Sequence, residues 1–196
     1  MTTTNCISLT DSALKTQLVD LLKGRSVQVG DFTLASGRRS RYYVDARRTT
    51  MSAAGMDLIG QMGLTLIRRE GWDASLVGGL TLGADPVAYA IALASRRAPP
   101  TLDAFTVRKE PKGHGTARLI EGCFESGSRV VVVEDVLTTG GSALRAVDAV
   151  RAAGGVVAAV IGVVDREEGG LSAIRKTGLP AETLVTIREL GVEPGS

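Results

Sequence analysis

Glu134 and Asp135 are adjacent carboxylates set between a wholly apolar run, Val130 to Val133, and the segment Val136-Leu-Thr-Thr-Gly-Gly-Ser142. A run without polar alternation suits a strand covered on both faces, as in a parallel sheet lying between helices. The acids then fall at its carboxyl end, the edge where open α/β sheets bind ligands. The helix that follows presents unpaired backbone N–H groups and the positive end of its dipole at that edge. Thr138, Thr139, Gly140, Gly141 and Ser142 can therefore wrap a phosphate, because glycine lets the backbone approach without a Cβ and the hydroxyls donate. Carboxylates repel a bare phosphate, so their place beside this cradle points to a ligand with hydroxyls or a hydrated cation next to its phosphate. A ribose 5-phosphate meets both conditions. The plainer alternative is an ordinary strand and N-capped helix with two solvated acids.

A second group of chemistry-bearing residues follows Val107. Arg108, Lys109, Lys112 and His114 are spaced by Pro111, Gly113 and Gly115, which makes the loop 108–118 cationic and free to change conformation. Such a loop suits a lid over an anionic leaving group, although taken alone it also reads as a solvated surface loop with a bystander histidine. A third group, Gly78-Gly-Leu-Thr-Leu-Gly83, is neither a Walker A loop nor a dinucleotide fingerprint, since no Gly-Lys-Ser/Thr occurs and the glycine spacing misses G-x-G-x-x-G. It reads as a backbone nest after a buried strand, with a plain strand-to-helix turn as the alternative.

The elements that must position these groups alternate along the chain. Leu14, Leu18, Leu21 and Leu22 recur at helical spacing, with Thr10 or Asp11 as N-cap and Gly24 as stop. Residues 27–34 and 41–45 read as a small strand pair. A helix over 52–69 carries Met56, Ile59, Gly63, Leu66 and Ile67, and its small residues allow close packing. A buried strand begins at Ser75 and ends at Gly78-Gly79, and an alanine-rich helix spans 84–95. Then come a strand over 103–107, the polar loop, the strand bearing the two acids with its helix to Ala153, and a strand over 156–164. A helix over 171–176 and a strand over 183–187 finish the series, and residues 191–196 read as loose. Alternation of this kind implies βαβ units around a central parallel sheet flanked by helices.

Composition bounds the function. A chain of 196 residues that is 44% hydrophobic can bury one sizeable core and is expected to be a single domain, 1–196. Its 23 basic and 21 acidic residues leave a net charge of +2, and only 4% of residues are aromatic. Neither a cationic field nor stacking platforms for nucleic acid follow from that, whereas local basic clusters, Arg38 to Arg48 and Arg108 to Lys112, suit small anions. No apolar run approaches the roughly 18 residues of a membrane span, and the N-terminus lacks a basic start and apolar core. Cys6 and Cys123 have no metal-ligand spacing, so a reducing cytoplasm is the expected location.

The stretch from Val130 to Ser142 resembles the signature of the type I phosphoribosyltransferases. Phe32-Thr-Leu-Ala-Ser-Gly37 with Ser40-Arg-Tyr-Tyr-Val-Asp45, Gly78 to Pro86, and Val107 to Gly115 resemble the orotate branch of that family, in the family's order. The resemblance runs from about residue 14 to about residue 187 and implies the family fold, a central parallel sheet with a small N-terminal hood mainly within residues 1–50. It implies that phosphoribosyl pyrophosphate (PRPP) is held by Arg108, Lys109, Lys112 and His114 together with Glu134, Asp135, Val136, Leu137, Thr138, Thr139, Gly140, Gly141 and Ser142. Lys112 and Asp135 are the implied catalytic pair. Orotate is implied to meet Arg166, Tyr43 and Thr138, with Tyr42 and Tyr43 matching the family's aromatic pair.

The implied reaction moves the phosphoribosyl group from PRPP to N1 of orotate, giving orotidine 5′-monophosphate and pyrophosphate on the route to UMP. The implied cofactor is Mg²⁺, chelated mainly by PRPP, with Asp135 reaching it through water and no direct protein ligand. The implied assembly is a homodimer whose 108–118 loop reaches the neighbouring active site, with no nucleic-acid or membrane partner. Two departures stand out. Many relatives have a lysine where this chain has Ala35, and some have Tyr-Lys where it has Thr81-Leu82, so those lysine roles do not transfer. Arg38 is a candidate to compensate. Alternative readings are a phosphoribosyltransferase for uracil or a purine, and a non-catalytic PRPP-sensing regulator. Arg166 and the Phe32 to Asp45 segment argue against the first, and the cationic loop against the second.

Overall fold

The computed structural model describes residues 4–33, 39–110 and 119–194. In chain order the elements are α1 (Thr4–Arg25), β1 (Val27–Thr33), β2 (Arg39–Val44), α2 (Arg47–Thr50), α3 (Ala53–Arg69), β3 (Leu76–Leu80), α4 (Ala84–Arg97) and β4 (Asp103–Val107). They continue with β5 (Ile120–Gly122), β6 (Arg129–Leu137), α5 (Gly141–Ala152), β7 (Val156–Asp165), α6 (Gly170–Arg175), β8 (Ala181–Thr186) and a 3₁₀ turn at Arg188–Leu190.

Six strands form one sheet in the order β5-β4-β3-β6-β7-β8, and β1 pairs with β2 in a separate antiparallel hairpin. Strands β4, β3, β6, β7 and β8 are mutually parallel, as the alternation requires, while β5 closes the edge antiparallel to β4. That short edge strand, α2 and the 3₁₀ turn escape sequence patterning because each is too short to show a period. Val130 to Val133 are completely buried and divide between two cores. Val131 and Val133 join the cluster under α1, α3 and α4, and Val130 and Val132 join the one under α5 and α6. The alternating faces of a strand thus explain why every position of the run is apolar.

Several boundaries differ from the pattern. Helix α1 begins at Thr4, before the expected caps at Thr10 or Asp11, and passes Gly24 to end at Arg25; no proline or earlier glycine interrupts it. Helix α3 does start where expected, with the Ser52 hydroxyl accepting from the Gly55 N–H at 3.1 Å. Its glycines serve contact with α4: a Cβ on Gly60 would lie 2.5 Å from the Ala90 carbonyl oxygen, and one on Gly63 would lie 2.6 Å from Ile91. The chain end described here is also less loose than expected, since Val192 packs on the core and Arg188 bonds Glu193 at 2.6 Å.

Candidate active site

Strand β6 does not stop before the acids. It continues to Leu137, so Glu134 and Asp135 lie within its carboxyl-terminal half, on opposite sides of the strand. Glu134 is buried, and its Oε2 has no hydrogen-bond partner among the described residues. Burial first, and the neighbouring Asp135 carboxylate second, push its pKa up to about 9, while the charge of Lys109 pulls the other way. Asp135 is half-buried and accepts from the Val136 N–H at 2.8 Å. The pair therefore sits at the sheet edge with one carboxyl in low dielectric and the other wetter.

Beyond Leu137 the chain turns through Thr138 and Thr139 to Gly140, whose φ of +85° is the left-handed conformation that favours glycine. Helix α5 then begins at Gly141, so the threonines and Ser142 lie at its amino end, as the spacing predicts. On the neighbouring strand, Asp165 pairs opposite Leu137, and the Arg166 N–H donates to the Leu137 carbonyl at 2.9 Å. The loop for phosphate and the arginine expected at the base thus leave adjacent parallel strands at one level.

Arg166 is held before any ligand arrives. Its side chain lies over the Tyr42 ring with the guanidinium carbon 5.1 Å from the centroid, donates weakly to the Tyr42 hydroxyl at 3.3 Å, and pairs with Glu168 at 2.9 Å. Tyr42 is fully buried and Tyr43 exposed, because successive residues of β2 face opposite ways. Tyr43 packs on Phe32 at 5.8 Å between ring centroids and faces the cavity instead.

That cavity, about 340 Å³, collects Tyr43, Lys109, Glu134, Asp135, Val136, Thr138, Ser142 and Arg166 from the expected set. Leu137, Thr139, Gly140 and Gly141 are not on its wall: Leu137 is buried against Gly162, and the other three shape the turn. Arg108 also lies off the wall, where its backbone N–H donates to Leu119 at 2.8 Å and its side chain approaches Glu121 at 3.8 Å. Lys112, His114, Ala35 and Arg38 lie outside the described residues.

Two features of the cavity were not read from the sequence. Asp45 and Arg47 form part of the wall, joined by a 2.8 Å bond from Arg47 Nε that lowers the Asp45 pKa. The Asp-x-Arg spacing was the available signal. The second concerns the nest expected over Gly78 to Gly83, of which the first two residues, Gly78 and Gly79, do not reach the cavity. Both glycines lie inside β3, where a Cβ would strike the Phe105 and Val133 carbonyl oxygens, so they serve strand packing. The loop that reaches the cavity is Thr81-Leu82-Gly83, and neither the Leu82 nor the Gly83 N–H makes a hydrogen bond among the described residues. The Thr81 hydroxyl donates to Asp85 Oδ2 at 2.7 Å, and Thr106 donates to Asp85 Oδ1 at 2.9 Å.

Such an arrangement can hold a phosphate on α5, sugar hydroxyls on the acid pair, and a planar anion beneath Arg166. No protein-family model matches the chain. An orotate phosphoribosyltransferase of Aquifex aeolicus (strain VF5) is 50% identical over 177 residues, covering 89% of this chain and 96% of the relative. The solved structure of Mycobacterium tuberculosis H37Rv orotate phosphoribosyltransferase with Fe(III) dicitrate aligns with a TM-score of 0.83 at 47% identity, over 91% of this chain and 99% of that one. The same enzyme solved with PRPP aligns with a TM-score of 0.77 at 44% identity, again over 91% and 99%. With half of its residues shared across nearly the whole length of such relatives, the chain belongs to the orotate phosphoribosyltransferase family.

Proposed function

We propose that this protein is a pentosyltransferase that moves the phosphoribosyl group of PRPP to N1 of orotate, releasing pyrophosphate and forming orotidine 5′-monophosphate in pyrimidine synthesis. One observation carries the reading: a single cavity is lined by Asp135, Thr138 and Ser142 together with Arg166. These groups suit a ribose phosphate and a planar carboxylate.

Breaking the anomeric C–O bond leaves positive charge on the ribose and negative charge on pyrophosphate, so catalysis here is mostly electrostatic. The Thr138 hydroxyl, the Ser142 hydroxyl and the free N–H groups at the start of α5 hold the 5-phosphate. Asp135 and Glu134 accept from the ribose hydroxyls, and the negative field of Asp135 favours the cationic centre. The Leu82 and Gly83 N–H groups and Lys109 receive the pyrophosphate, with Arg108, Lys112 and His114 joining on closure of the 108–118 loop. Arg166 binds the orotate carboxylate, and Tyr43 flanks the ring.

The half-buried Asp135 carboxylate on the cavity wall is a hard oxygen donor that suits a hydrated divalent cation. Mg²⁺ carried in with PRPP would neutralise charge on the departing group, and Asp135 would hold it through water. The proposal extends to one domain with the β1–β2 hairpin as its hood, and to a homodimer in which the 108–118 loop closes the neighbouring site. It extends also to a cytoplasmic location, in keeping with the free, exposed Cys123. Among the described residues no helix is long and apolar enough to cross a membrane.

The test is loss of orotate absorbance with PRPP and Mg²⁺, run beside uracil, hypoxanthine and adenine. Turnover of orotate alone is the expected result. Turnover of another base would overturn the assignment of the base, and PRPP binding without turnover of any base would point to a regulator.

A further inference from the structure

Asp85 is not itself on the cavity wall, yet both of its carboxylate oxygens are used. Oδ2 accepts from Thr81 at 2.7 Å and Oδ1 from Thr106 at 2.9 Å. Thr106 lies on β4 beside Gly79, and its hydroxyl is also 3.2 Å from that of Tyr89 on the exposed side of α4. The carboxylate therefore bolts the Thr81-Leu82-Gly83 loop to the sheet. A second tie is the Thr81 N–H, which donates to the Val107 carbonyl at 2.8 Å. Asp85 also sits in the first turn of α4, where a negative charge is favoured by the helix dipole.

Held this way, the loop brings Gly83 against the Asp135 carboxylate and leaves the Leu82 and Gly83 N–H groups without a partner among the described residues. Charge alone makes Asp85 a poor neighbour for an anionic ligand. Its presence beside a loop that receives an anion needs a compensating benefit, and the two hydroxyl bonds supply one. We propose that Asp85 is a positioning residue for pyrophosphate recognition: it fixes the Thr81 to Gly83 loop so that two backbone N–H groups are aimed at the leaving group. This rests on the reading of the site given above.

Two opposed expectations separate positioning from charge. Removing an acid near an anion strengthens binding if charge is all that matters, whereas losing the bolt weakens it. Asp85→Ala, Asp85→Asn and Thr81→Val are compared with the wild type for PRPP affinity by calorimetry, and for kcat and KM toward each substrate. In Asp85→Ala the affinity for PRPP is expected to fall about tenfold, the order of a lost charge-assisted hydrogen bond, with KM for orotate changed less than about twofold. Asparagine can still accept from one threonine and donate to the other, so Asp85→Asn recovers most of the loss. A merely structural role would lower the melting temperature of both variants and leave the substrate constants in place.

Unchanged or tighter PRPP binding in Asp85→Ala would overturn the proposal, and if that variant does not fold, unchanged binding in Thr81→Val would do so. Wild-type protein that binds PRPP but does not use orotate would defeat the reading of the base while leaving the calorimetric comparison decisive for Asp85.

Discussion

A β-carbon at position 83 would lie 2.5 Å from Asp135 Oδ1, so the glycine ending one loop leaves room for an acid near the carboxyl end of a different strand. The obstructing atoms are the tip of a side chain, which can swing away, and not rigid backbone. Gly83→Ala is therefore expected to fold with little loss of stability and to displace Asp135. Activity should drop by about tenfold or more, the scale of 1–3 kcal/mol of overpacking carried into the transition state. Steady-state kinetics beside a melting curve checks this, and a fully active variant would show that Asp135 tolerates the shift.

Glu134 makes stability depend on pH in the direction opposite to a salt-bridged acid. Its pKa is about 9 in the folded chain against a reference of 4.5, so between these values the folded state keeps a proton that the unfolded state has lost. Stability contributed by this group is complete at low pH and falls as pH rises through that window. Glu134→Gln, neutral throughout, should melt progressively higher than wild type from about pH 5 to about pH 9, and the two should converge below the lower value. Parallel melting curves with a constant offset would count against a buried, protonated Glu134.

Arg166→Lys keeps a positive charge but cannot lie flat on Tyr42 or offer a planar fork. KM for orotate is expected to rise by roughly tenfold or more, with PRPP affinity unaltered, as follows from losing a bidentate contact. Equal weakening toward both substrates would place the residue elsewhere in the mechanism.

Gly140→Ala forces a Cβ into left-handed backbone and to 3.0 Å from the Gly170 carbonyl oxygen. A loss of about 1–2 kcal/mol in urea unfolding is expected from the conformation alone. Weaker PRPP binding should accompany it, since the turn sets where α5 begins.

The sheet edge and its acids were legible in the sequence because a strand buried on both faces needs an unbroken apolar run, and Val130 to Val133 is one. What patterning could not show is how close one backbone comes to another. Gly78 and Gly79 read as the start of a nest running to Gly83 when their role is to admit Phe105 and Val133, and only strand neighbours distant in sequence reveal this. Tyr42 and Tyr43 could have been told apart by period two, which sends the first inward under Arg166 and the second to the cavity. Asp85 had no local signal, since its two partners lie 4 and 21 residues away on different elements.

The backbone hydrogen bond from the Arg166 N–H to the Leu137 carbonyl has a consequence for selectivity. Because the turn proposed to grip one end of a ligand and the cation proposed to grip the other emerge side by side from hydrogen-bonded strands, their separation is a caliper set by the sheet itself. Loops can vary in composition without changing the jaw width. On the proposed assignment, molecules of the wrong span are refused by the ladder and not by the loops.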